Sequence, residues 1–123
     1  MWIKYNANPL NKQVGDCVIR SISKFLEQDW DKTYWDIANK GYQLADMPSS
    51  NSVWHSYLQD LGLHRSSIPD TCPACYTVRD FCNDHPNGRF LLGSGDHVVT
   101  VISGNHYDTW DSGDTSPIVI FSP

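Results

Sequence analysis

Apolar residues first recur at helical spacing between Cys17 and Glu27, where Val18, Ile19, Ile22, Phe25 and Leu26 share one face. Asp16 precedes this run and is the expected N-cap. Residues 5–16, rich in Asn, Gly, Lys and Pro, read as an ordered loop leading into that helix. DWDKTYWDIANKG predicts a second helix from about Asp31, with Tyr34, Trp35, Ile37 and Ala38 turned inward and Gly41 as its stop. PSSNSVWHSYLQDLG opens with capping residues and predicts a third helix ending at Gly62, with Val53, Trp54, Tyr57, Leu58 and Leu61 as its apolar set. SIPDTCPACY reads as a loop, after which Thr77 caps a short fourth helix running to about Asp84. Beyond His85 the period changes. RFLLGS, HVVTVIS, NHYDTWD and PIVIFS are β-type runs, with SGNH as the hairpin turn between the middle two. Helices followed by a meander predict an α+β fold, with N-terminal helices packed on a C-terminal antiparallel sheet.

Composition narrows this picture. The 123 residues suit a single domain over 1–123, and aromatics at 12% can give a modest core a large buried area. The net charge of −5 argues against a nucleic-acid partner, because neutralising phosphates requires clustered Lys and Arg. Basic residues concentrate early (Lys4, Lys12, Arg20, Lys24, Lys32, Lys40) and none follows Arg89, so the C-terminal end should present an acidic surface. No run is long and apolar enough to predict a membrane span or an apolar leader. The expected location is therefore cytoplasmic. There Cys17, Cys72, Cys75 and Cys82 would be thiols or metal ligands rather than a disulfide framework.

A cysteine in the first helical turn raises a chemical question. Buried Cys is a small hydrophobe anywhere in a helix, but at an N-terminus free N–H groups and the helix dipole stabilise a thiolate. A nucleophilic thiol needs an imidazole within hydrogen-bond reach and a third polar group to orient the ring. His97 begins an apolar strand, and the hairpin through Gly104 returns towards Asp111. The predicted set is thus Cys17, His97 and Asp111. Asp108 is a second candidate orienter, and alternation along YDTWD puts it on the face opposite Tyr107, Thr109 and Asp111; the spacing from His97 and the end-of-strand position favour Asp111.

The helix-borne Cys17, the GDHVVTVI strand and the YDTWDSGD return resemble a minimal papain-like cysteine peptidase. The chain is similar in scale to Josephin deubiquitinases and to the peptidase domains of bacteriocin-exporting transporters. Through GDCVIRSIS, DMPSSN, CPACYTVRDFC and YDTWDSGD it also resembles a group of small proteins encoded by bacteriophages and prophages. The papain-like resemblance implies hydrolysis of a peptide or isopeptide bond in a protein or peptide substrate. It also implies an oxyanion-hole amide a few residues before the cysteine. Lys12 departs from that pattern, which leaves Asn11 or Gln13 to donate alongside the backbone N–H of Cys17. No cofactor is implied.

Three other readings belong beside this one. Cys72, Cys75, Cys82 and His85 form C-x2-C-x6-C-x2-H, the donor set of a closed structural zinc site. The same fold with an idle dyad would serve as a phage accessory protein that binds a host factor. An acyltransferase or amidase on a non-peptide substrate would use the same three residues.

Overall fold

The computed structural model describes residues 1–123. The elements run β1 (Trp2–Lys4), α1 (Cys17–Leu26), α2 (Trp30–Gln43), α3 (Asn51–Asp60), β2 (His64–Ser67), α4 (Val78–Asp84), β3 (Arg89–Gly93), β4 (Val98–Ile102), β5 (Asn105–Asp108) and β6 (Val119–Ser122). The fold is α+β: four helices and one six-stranded sheet in the order β1-β5-β4-β3-β6-β2. No helix is long and apolar enough to cross a membrane.

Two expectations about the sheet need correction. It is mixed rather than antiparallel, because β1 pairs parallel with β5 while every other pair is antiparallel. The helices also divide between its faces. α1, α2 and α3 pack their apolar sides onto Leu91, Val98, Val119 and Phe121. The intervening strand residues Leu92, Val99 and Val101 point the other way and are covered by Val78, Phe81 and Cys82 of α4. The sheet is therefore a middle layer, and its alternate residues serve two cores.

α1 carries the principal core residues, with Ile22 and Phe25 buried against the sheet. Asp29 caps α2, its side chain accepting from the Lys32 N–H at 2.7 Å. α2 does not stop at Gly41 but runs on to Gln43. A Cβ at Gly41 would stand 2.8 Å from the Asp46 carbonyl oxygen, so this glycine admits a close return of the chain and does not end the helix. Trp35, expected inside, is 71% exposed, while Thr33 and Ile37 make the inward face of α2. Thr77 caps α4 through a reciprocal capping box with Asp80. The β4–β5 hairpin turns on Ser103 and Gly104, both at positive φ, as a two-residue turn matched to strand twist requires.

Candidate active site

Ser21 sets the geometry of the site. Its Oγ donates to the Val98 carbonyl at 2.7 Å, and the Thr100 hydroxyl donates to the Ser21 carbonyl at 2.5 Å. These two bonds pin the middle of α1 to the start of β4. Cys17 lies one turn before Ser21 on the same helical face, and His97 lies one residue before Val98. The stitch therefore brings the thiol to the imidazole. Cys17 is partly exposed, whereas its helical neighbours Val18 and Ile19 are buried.

Burial would raise the Cys17 thiol, but a hydrogen bond and the charge of His97 outweigh it, helped by the Val98 N–H and the Arg20 charge. The result lies below the ordinary thiol value. Burial likewise opposes the charged His97 ring. The carboxylate of Asp108 and the Cys17 sulfur prevail, and the imidazole is pushed up to about 9. Both shifts favour a thiolate–imidazolium pair. Asp16 does not cap α1, since its side chain makes no bond to the first turn. Its carboxylate turns instead to Arg20 and Trp30. The first N–H groups of the helix, Cys17 among them, are thus left to face an anion.

The structure brings Asp108, not Asp111, to His97. The Asp108 Oδ2 accepts from His97 Nε2 at 2.6 Å, which leaves Nδ1 for the thiol. Asp108 is fully buried and also accepts from the Ser112 hydroxyl at 2.6 Å, the Arg20 Nη2 at 2.9 Å and the Thr109 N–H at 2.8 Å. Burial would raise this carboxyl, but its donors hold it below the usual carboxylate value. Strict alternation misplaces Asp108 because it is the last residue of β5. The ladder ends there, and Arg20 and the Thr109 N–H turn its carboxylate towards α1. The parallel strand β1 fixes its backbone. The Tyr5 N–H and the Trp2 indole both donate to the Asp108 carbonyl, at 2.9 and 3.0 Å. Trp110 covers the His97 ring, with centroids 4.9 Å apart.

Asp111 belongs to a second constellation on the opposite face. Its Oδ1 accepts from His106 Nε2 at 2.9 Å, and His106 Nδ1 lies 3.9 Å from the Cys82 sulfur. Arg79 approaches Asp111 from outside and pairs with Asp114. The order thiol, imidazole, carboxylate is therefore repeated, but the chemistry is not. Cys82 is 3% exposed and His106 2%, and burial pushes the Cys82 thiol up rather than down. A buried neutral thiol is no nucleophile.

The oxyanion candidates are not held towards Cys17 by any hydrogen bond. The Asn11 side-chain carbonyl accepts from Asn6, and Gln13 is an exposed side chain without a partner. Asn6 and Asn8 staple this loop internally. The zinc quartet is not assembled. Cys72 and Cys75 are joined in a disulfide, against the expectation of free thiols, because only two residues separate them and their Cα atoms lie 4.1 Å apart. Cys82 faces His106, and His85 stacks on Phe81. No three His, Cys, Asp or Glu side chains converge as a metal site would require.

A groove of about 420 Å³ opens beside the first turn of α1, lined by Lys12, Val14, Val18, Ile19, Trp30 and Tyr34 among others; Cys17 and His97 are not in its lining. Comparison with known proteins returns no match: no family model fits the chain, and no curated protein or solved structure matches it.

Proposed function

We propose that the protein is a papain-like thiol hydrolase that cleaves peptide or isopeptide bonds. The observation that carries this reading is the partly exposed Cys17 at an uncapped helix N-terminus, beside an imidazole that is oriented by a buried carboxylate.

In the proposed reaction the Cys17 thiolate attacks the scissile carbonyl carbon, and the C=O electron pair moves onto oxygen. The Cys17 N–H and its free neighbours in the first turn stabilise that oxyanion. The His97 imidazolium gives its proton to the leaving nitrogen as the C–N bond breaks, leaving a thioester. His97 then takes a proton from water, the hydroxide attacks the thioester, and the thiol departs with that proton. Asp108 keeps Nε2 protonated and stabilises the imidazolium throughout. The apolar groove beside the first turn of α1 suits an aliphatic or aromatic side chain of the substrate.

We take the substrate to be a host or phage protein in the bacterial cytoplasm, a reading supported by the resemblance of the sequence motifs to those of small phage and prophage proteins. A binding role with an idle dyad draws support from one observation: neither Asn11 nor Gln13 is oriented as an oxyanion donor.

The test is exposure of a proteome-derived peptide library to the wild type and to Cys17→Ala, with new termini read by mass spectrometry. Termini made by the wild type and not by Cys17→Ala support hydrolysis. Identical patterns from both overturn it.

A further inference from the structure

A line of buried charge runs beneath the proposed site, and hydrolysis by a thiol and an imidazole does not by itself call for it. Trp30 Nε1 donates to Asp16 Oδ2 at 2.9 Å, and Asp16 Oδ1 accepts from Arg20 Nη1 at 2.6 Å. Arg20 Nη2 in turn donates to Asp108 Oδ1 at 2.9 Å, whose other oxygen holds His97. Arg20 is 4% exposed and Asp16 7%. The Arg20 Nε is buried without a partner.

Such a network is a poor device for stability. Taking three charges out of water is costly, and well-packed apolar residues of the same volume commonly serve as well or better. What the guanidinium supplies is geometry. Its planar fork spans two carboxylates in fixed directions, which the single ammonium of a lysine does not. One of those carboxylates holds His97. The other lines the groove together with Trp30.

We infer that Arg20 is a positioning residue: it clamps the Asp108 carboxylate in the direction that orients His97 and ties that clamp to the groove wall at Asp16 and Trp30. The inference rests on the thiol-hydrolase reading. The remaining titratable groups that face Arg20 are Cys17 and Tyr5.

The test uses two variants at different points of the line, the charge-preserving Arg20→Lys and the near-isosteric Asp16→Asn, both checked for folding by near-UV circular dichroism. The readout is the iodoacetamide alkylation rate of Cys17 against pH, which a purely structural support would leave unchanged in a folded variant. His97→Ala runs beside them as the reference. The expected result is a rate at pH 6 about tenfold lower in a folded variant, equivalent to a one-unit rise of the thiol. For Arg20→Lys the loss should occur although the positive charge is kept. A folded variant with the wild-type profile overturns the inference and leaves the thiol-hydrolase reading standing. A wild-type profile that is itself indifferent to His97→Ala overturns both. Either variant suffices if the other does not fold.

Discussion

His97 Nε2 and Asp108 Oδ2 lie 2.6 Å apart, while Asp111, three residues further on, takes its hydrogen bond from His106 on the other face of the sheet. The two carboxylates therefore have separable consequences. Asp108→Asn keeps the shape but removes the charge that stabilises the imidazolium, and it should lower kcat by about 10²-fold or more. Asp111→Asn should change kcat less than about twofold, because it touches neither His97 nor Cys17. Turnover of a peptide identified by the library digest checks both.

The same pair makes stability depend on pH in a defined direction. The folded His97 value of about 9 lies above its ordinary 6.5, so its contribution is complete below about pH 6.5 and is lost as pH rises through 9. Asp108 behaves oppositely. Its carboxyl is held below 3.8, so its contribution is complete above that value and lost as pH falls through the lowered one. The stability gap between wild type and His97→Ala, measured by urea unfolding, should be widest near pH 6 and narrow by pH 10.

The cysteines should sort into three kinds. In native protein Cys17 should alkylate fast and Cys82 slowly, the latter becoming reactive only on unfolding. Cys72 and Cys75 should resist alkylation until a reductant opens their disulfide. Peptide mapping by mass spectrometry, native, unfolded and then reduced, reads all three.

α1 anchors both the core and the site, so core damage there should unfold the protein rather than merely slow it. Ile22 is fully buried between the helix layer and the sheet. Ile22→Ala should cost about 2–5 kcal/mol of unfolding free energy, from lost burial plus the cavity left behind. Denaturant titration with an unchanged slope would check it.

Much of this arrangement was legible in the residue pattern, and the misses have physical causes. α1 and α3 follow from apolar spacing, α4 from apolar spacing and its Thr77 cap, and β3 to β6 from β-type runs. β1 and β2 escaped because each is a three- or four-residue edge strand of mostly exposed residues, with no buried alternation to read. Gly41 looked like a helix stop because close packing against a returning chain leaves no trace in local sequence. Cys17 and His97 were visible as chemistry at element starts. Asp108 was legible only as the second-ranked orienter, since the side chain that turns it, Arg20, lies 88 residues away. A hint was present nonetheless. An arginine three residues after the candidate nucleophile, on the same apolar helix, must find an acidic partner inside.

The central claim is that Cys17 and His97 form a thiolate–imidazolium pair, and the alkylation rate of Cys17 against pH, in wild type and in His97→Ala, tests it most directly. The predicted result is rapid reaction below pH 7 in the wild type, and a profile in His97→Ala that moves up towards an ordinary thiol near 9. A wild-type Cys17 that reacts only as an ordinary thiol, unchanged by loss of His97, would contradict it.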